Sequence, residues 1–170
     1  MTKVFLKKKI SRRVESGHPW IFANEVNTVE GDSTGGETVE VYTHDKKFVG
    51  KGYINPQSQI LVRLLTRDKA ETIDETFFLN RLKEAWGYRQ KLGYIENCRL
   101  VFGEADYLPA LIIDKFNDYF VIQTLALGMD RWKAAIVKAL EQLFQPKGIY
   151  ERNDVPVREL EGLPQQKGFL

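Results

Sequence analysis

The sequence predicts an α+β protein in two parts, a small all-β unit followed by a mixed strand and helix unit. Three observations predict it: short turn-separated strand patterns over residues 38–66, a change of composition after Arg67-Asp68-Lys69, and two helical periodicities near Thr72–Gly93 and Asp130–Phe144. With 170 residues, 43% of them apolar and 28% charged, the chain can bury a real core and has room for one domain or two small ones.

Val4, Leu6 and Ile10 share one face of a period-2 pattern and Phe5, Lys7 and Lys9 the other, so a first strand with a basic outer face is expected. Ser11 is placed to cap a short helix through Glu15, and Gly17 suits its left-handed stop before a tight His18-Pro19-Trp20 connection. Asn27 to Glu37, with Gly31, Gly35 and Gly36, reads as a polar loop. Strands are expected at Thr38–Thr43, Lys47–Ile54 and Gln59–Thr66, with turns at Thr43-His44-Asp45-Lys46 and Asn55-Pro56-Gln57-Ser58. Short strands with little helix between them indicate a small barrel or sandwich, and a boundary near Ala70 makes residues 1–70 the first domain.

The second domain is read as residues 71–160. Thr72 and Glu75 have capping-box spacing, and Phe78, Leu82, Ala85, Arg89 and Leu92 recur at helical intervals down to Gly93. Arg99–Phe102 and Ala110–Asp114 read as strands, and Asn117-Asp118 as a hairpin turn into Tyr119–Leu125. Asp130 starts a helix to about Phe144, stopped by Pro146 and Gly148, and Gly148–Glu151 begins a further strand. Residues 161–170 read as the start of a linker.

Charge and rare residues narrow the function. The net charge is only +2, yet Lys3, Lys7, Lys8, Lys9, Arg12 and Arg13 stand together with no acid among them, a local field that attracts phosphate. The same lysines would also discourage edge-to-edge pairing of a solvated strand. No run approaches the roughly 18 apolar residues of a membrane span, and Lys7-Lys8-Lys9 leads into polar residues rather than a signal-peptide core, so a cytoplasmic address is expected. One cysteine, Cys98, excludes an internal disulfide, and with only His18 and His44 beside it no Cys/His zinc site can be assembled.

Four segments carry the most information: Gly17-His18-Pro19-Trp20-Ile21-Phe22, Gly50-Lys51-Gly52-Tyr53-Ile54-Asn55-Pro56-Gln57-Ser58-Gln59-Ile60, Gly103-Glu104-Ala105-Asp106-Tyr107-Leu108-Pro109, and Glu151-Arg152-Asn153-Asp154-Val155-Pro156-Val157-Arg158-Glu159. In this order and spacing they resemble the N-terminal part of the bacterial class I S-adenosylmethionine-dependent methyltransferases that modify cytosine at C5 in large-subunit ribosomal RNA. The resemblance implies a PUA-like RNA-binding barrel, then a central α/β domain, with the methyl-transferring Rossmann-like domain beginning about where this sequence stops. Two positions depart from the family pattern, which usually has glycine where Tyr107 and Ala110 stand.

What the residues can do follows from their chemistry. Lys7, Lys9, Arg12 and Arg13 are candidates for phosphate contacts, which position a protein without reading sequence, and His18 for stacking on or bonding to an unpaired base. Lys51, Arg63 and Arg67 are secondary RNA candidates that a solvated strand face explains equally well. Trp20 and Phe22 are read as barrel packing, with base stacking as the other role. Glu104 and Asp106 are two carboxylates two apart in a loop, read as loop caps rather than an acid/base pair. The resemblance adds a role for Glu104, Asp106, Glu151, Arg152, Asp154 and Arg158 as an interface to the catalytic domain.

The family's mechanism uses a cysteine thiolate that attacks C6 of cytosine, in the domain that lies beyond this sequence. Cys98 has no histidine near it in sequence and reads as a small half-buried residue. A glycine-rich turn between a strand and a helix, needed to hold S-adenosylmethionine, is also missing, so the cofactor is expected of a full-length parent and not of this chain. The expected partner is ribosomal RNA. A stand-alone, non-catalytic RNA-binding adaptor and a protein-interaction module are the other readings, and pairing through strands near residues 47–66 leaves a homodimer open.

Overall fold

The computed structural model describes residues 1–9 and 12–170, so the expected cap at Ser11 and the inward face of Ile10 lie outside the described residues. The chain divides into two compact units, Met1–Glu71 and Thr72–Leu170.

The first unit contains β1 (Thr2–Leu6), α1 (Arg12–Glu15), β2 (Trp20–Ile21), β3 (Val26–Glu30), β4 (Thr38–Tyr42), β5 (Phe48–Ile54) and β6 (Val62–Thr66). They build one curled six-stranded sheet in the order β2-β6-β5-β4-β1-β3. Only β1 and β4 run parallel, with Val4 opposite Val41. Alternation along β1 and β4 sends Val4, Leu6, Val39 and Val41 inward to meet Val14, Ile21, Ile54, Val62 and Leu64. The glycines of the second motif are required by the β5–β6 crossing: a Cβ at Gly52 would sit 2.0 Å from the Arg63 carbonyl oxygen, and one at Gly50 2.6 Å from that of Thr66.

The structure corrects the sequence reading in three places here. β1 ends at Leu6, so Lys7 and Lys9 follow the strand instead of alternating on it. The start of the expected loop is β3, an edge strand whose polar residues leave four of its five side chains exposed, which removes the alternation that marks a half-buried strand. β5 and β6 lie inside the sheet with both edges paired, so strand addition by a second copy would have to use β2 or β3.

The second unit contains α2 (Glu75–Lys91), β7 (Asn97–Phe102), β8 (Leu111–Phe116), β9 (Tyr119–Thr124), α3 (Leu127–Arg131), α4 (Lys133–Phe144), β10 (Gly148–Asn153), α5 (Val157–Leu160) and β11 (Gln166–Phe169). The sheet order is β11-β10-β9-β8-β7. β7, β8 and β9 form an antiparallel meander, α3 and α4 carry the chain over to β10, which pairs parallel to β9, and β11 returns antiparallel. Phe78, Leu82, Leu100, Leu111, Ile113, Phe120, Ile122, Ile136 and Leu140 are buried between sheet and helices. Ring contacts join the helices to each other, Phe78 to Trp132 at 5.0 Å, and the sheet to α4, Phe120 to Phe144 at 4.9 Å.

Three expectations change here as well. The cap of α2 is Asp74, whose Oδ1 accepts from the Phe77 amide at 2.9 Å, and Glu75 therefore occupies the first helical position and pairs with Lys138 instead of closing a box with Thr72. The helix expected from Asp130 begins at Leu127 and is interrupted at Trp132. Residues 166–169 are not linker but β11, paired to β10 with Glu151 opposite Gly168 and Asn153 opposite Gln166.

Candidate nucleic-acid interface

The first unit presents a basic surface through the loop after β1 and the start of α1. Lys7, Lys8, Lys9 and Arg12 are all exposed there. Arg13, one residue on, does something else. Its Nη2 donates to both Glu25 carboxylate oxygens at 3.0 and 2.8 Å, its Nη1 donates to the Trp20 carbonyl at 2.6 Å and to His18 Nδ1 at 2.9 Å, and its guanidinium lies 4.8 Å from the Phe22 ring centre. Held by a carboxylate, a carbonyl and an imidazole nitrogen, the guanidinium is fixed in orientation as well as charge, so Arg13 positions the first motif and is not one of the open phosphate contacts.

His18 is held by the same group. Its Nδ1 accepts from the Trp20 amide at 3.2 Å as well as from Arg13, which assigns the ring proton to Nε2. The imidazole stands edge-on to Trp20 at 5.1 Å, and Trp20 edge-on to Phe22 at 6.4 Å. Trp20 is half-buried on the edge strand β2, paired opposite Arg63, and belongs neither to the sealed core nor to an open stacking platform. Glu25, which sequence reasoning missed, organises this corner, and it also accepts from the Phe22 amide at 2.8 Å. Its only sequence signal is a carboxylate soon after an arginine-rich turn.

Lys51 and Arg63 are withdrawn from the RNA surface. Lys51 is 9% exposed and its ammonium donates to the Lys69 and Glu71 carbonyls at 2.7 and 2.8 Å, while Arg63 is 6% exposed on an interior strand. The buried Lys51 ammonium closes a loop onto the sheet, and neither buried cation faces a polyanion. Lys115 repeats the device in the second unit, donating to the carbonyls of Ile95, Glu96 and Asn117. A signal for it was present, because Lys115 has the same strand parity as the buried Leu111 and Ile113.

The second-unit candidates separate into two clusters. Asp106 accepts both guanidinium nitrogens of Arg89 at 2.7 Å and the Phe102 amide at 2.7 Å, which pins the Gly103–Asp106 turn to α2. Glu104 is exposed on that turn. Tyr107 and Ala110 have φ of 57° and 63°, the left-handed region that glycine enters without cost.

The fourth motif is largely interior. Arg158 has no exposed surface: Nε donates to the Pro164 carbonyl at 2.9 Å, and Nη1 to Asp130 at 2.9 Å, to the Thr124 hydroxyl at 3.3 Å and to the Thr124 carbonyl. Asn153 is fully buried and accepts the Thr124 amide at 2.8 Å, and Glu151 accepts from Lys133 at 2.7 Å and from Asn153 at 3.0 Å. Glu151 and Arg158 are therefore structural, and of the motif's proposed interface residues Arg152 is exposed and Asp154 half-buried. Thr124, Asp130 and Lys133 were missed because their role depends on strands far apart in sequence meeting at one sheet end.

This network also bears on the cofactor. A ligand of an α/β unit sits beyond the carboxyl ends of parallel strands, where a glycine-rich turn lets it approach the backbone. Here the single parallel pair in the second unit, β9 and β10, ends in Thr124 and Asn153, and the space beyond holds the Arg158 guanidinium and Asp130. The residues present do not fit S-adenosylmethionine. Cys98 is half-buried and its thiol pKa is pushed up by burial, against the requirement for a nucleophile. Among the described residues, no cluster of three or more His, Cys, Asp or Glu is placed to hold a metal ion, and no helix is long and apolar enough to cross a membrane.

Residues 4–67 match the PUA-like domain family. Two proteins named Ribosomal RNA large subunit methyltransferase I are similar along almost all of the chain: one from Aliivibrio fischeri is 39% identical over 98% of this chain, and one from Klebsiella pneumoniae is 41% identical over 95%. The chain spans less than half of these relatives, 43% and 40% of their lengths. In fold it resembles a Streptococcus mutans protein provisionally named a SAM-dependent methyltransferase, with TM-score 0.75 over 89% of this chain and 40% of that one at 18% identity. A second structure with the same score was crystallised with SAH. Residues 4–67 thus match a PUA-like domain that an α+β unit follows, and the chain is similar over nearly its whole length to part of the proteins named Ribosomal RNA large subunit methyltransferase I.

Proposed function

We propose that this chain is the RNA-recognition portion of an S-adenosylmethionine-dependent methyltransferase acting on cytosine C5 of large-subunit ribosomal RNA, and that it positions RNA without carrying methyl-transfer chemistry. The observation that carries the reading is the exposed, acid-free run of Lys7, Lys8, Lys9 and Arg12 on the PUA-like unit. Such a run grips phosphate and sets register, and Arg13 with Glu25 keeps the adjoining His18–Phe22 segment in one shape beside it. Ribosomal RNA as substrate places this work in the cytoplasm.

The test is binding of a large-subunit RNA fragment to the 170-residue chain as a function of salt. Replacing Lys7, Lys9 and Arg12 together by serine removes up to three phosphate contacts and should lower the slope of log affinity against log salt by about 2, since each contact on a single strand contributes about 0.7. An unchanged slope and affinity would place the RNA surface elsewhere. Calorimetry of the same chain with S-adenosylmethionine should give no saturable heat, and micromolar binding would overturn the division of labour. Loss of one 5-methylcytosine from large-subunit RNA is the expected result in cells lacking the gene.

A further inference from the structure

The second unit carries an open face that neither the sheet nor the buried networks use. Tyr88 on α2, Phe102 at the end of β7 and Tyr107 after the Gly103–Asp106 turn are 57%, 54% and 69% exposed. An open groove of about 420 Å³ runs among them, and a second of about 330 Å³ lies beside it; both are lined by Arg89 and Phe102. Each ring has a guanidinium over it: Arg81 lies 5.8 Å from the Tyr107 centroid, Arg89 5.4 Å from that of Tyr88, and Arg99 5.3 Å from that of Phe102.

The charges on this face cancel. Arg81 pairs with Glu84 at 3.2 Å, Arg89 with Asp106 at 2.7 Å and Arg99 with Asp114 at 2.8 Å. Phosphate therefore gains little there, while a neutral flat ring gains contact with both aromatic faces and guanidinium planes. Tyr107 adds a second sign. It holds a left-handed φ of 57°, a strained conformation for a bulky residue, and its exposed ring recovers nothing from the core.

We infer that Tyr88, Phe102 and Tyr107 form a stacking platform for unpaired RNA bases, separate from the phosphate-gripping lysines of the first unit. This rests on the RNA-recognition reading above and names a second contact for the same substrate class. Bases stack on rings whatever their identity, so the platform holds a single-stranded or splayed segment and does not itself choose the sequence.

The experiment measures fluorescence anisotropy of a labelled 12-nucleotide unstructured RNA with the 170-residue chain at several salt concentrations. Phe102→Ala and Tyr107→Ala should each weaken binding about fivefold or more with the salt slope unchanged, because stacking releases no counterions. Phe102→Trp should restore affinity. Tyr88→Ala, on an exposed helix face, serves if either of the others perturbs the circular dichroism spectrum. Unchanged affinity in the ring variants, or a loss that comes with a changed salt slope, overturns the inference. So does intact RNA affinity with loss of a dimer in sedimentation, which would make the face a protein contact. If the lysine and Arg12 variant loses binding and the ring variants do not, this inference falls alone; if the unsubstituted chain binds no RNA, the proposed function falls with it.

Discussion

Arg158→Met separates a structural role for the fourth motif from a role in contacting another domain. The side chain is wholly buried and donates to four acceptors, of which Asp130 is charged and the carbonyls of Thr124 and Pro164 are backbone. Methionine fills similar volume but leaves Asp130 without its buried cation. Breaking such a pair costs about 3–5 kcal/mol. The Asp130 side chain is 20% exposed, keeps Lys133 at 3.6 Å and still accepts from the Thr124 hydroxyl at 2.6 Å, which argues for the lower part of that range. A loss of about 3 kcal/mol, with a urea slope of about 1–1.5 kcal/mol/M for a unit of this size, lowers the midpoint by about 2–3 M. The assay is urea unfolding in a Trp20→Phe background, where fluorescence reports only Trp86 and Trp132 of the second unit. Adding Asp130→Asn to Arg158→Met should recover about 1–2 kcal/mol, because most of the cost is the stranded carboxylate. A midpoint shift below about 0.5 M would refute the argument. Arg158 would then be dispensable to the fold and free to serve a partner.

Other perturbations read different parts of the structure. Burial pushes the Asp130 pKa up, but hydrogen bonds from Arg158 and Thr124 and the charges of Arg158 and Lys133 outweigh it and leave the carboxylate depressed. A depressed carboxylate contributes stability that is present above its unfolded pKa of about 4 and lost as pH falls through its folded value, so the second unit should weaken below about pH 4 and Asp130→Asn should flatten that dependence. Glu37 behaves alike in the first unit: desolvation raises its pKa, but bonds from Thr34, Gly35 and Ser33 outweigh it and lower the pKa from 4.5 to about 2. Amide exchange in the loop before β4 should rise across that interval and should not in Glu37→Gln. Gly52→Ala drives a Cβ to within 2.0 Å of a carbonyl oxygen and should cost about 3 kcal/mol or more, read as loss of the first unit's near-ultraviolet dichroism. Ala110→Gly relieves a left-handed φ of 63° and should stabilise the second unit by about 0.5 kcal/mol after the extra chain entropy of glycine, read as a higher urea midpoint.

Strands β4 and β5, the long helix α2 and the hairpin at Asn117-Asp118 were legible because their signals are local. Alternation shows a strand with one face covered, and Gly93 or Asn117 at positive φ marks where a chain must turn. Edge strand β3 was not legible, because an exposed strand has no apolar face to show. β11 was missed for the same reason: its pairing partner, β10, supplies the information that Gln166–Phe169 lacks.

The site residues divide along the same line. Lys7, Lys9 and Arg12 could be read as surface from sequence, since three lysines in a row beside two arginines cannot all find carboxylates among neighbours that are not acidic. Lys51, Arg63, Arg13 and Arg158 could not be sorted from them, because a cation on paper is the same cation whether it meets water, a carbonyl or a carboxylate. The sequence by itself determined the two-part α+β plan, the basic run and the family resemblance, all of which live in local composition and spacing. Only the tertiary structure decided which cations are spent inside. That depends on chain crossings, with Lys51 under Lys69 and Glu71, Arg13 against Glu25 and Arg158 against Asp130, that bring together groups 12 to 28 residues apart.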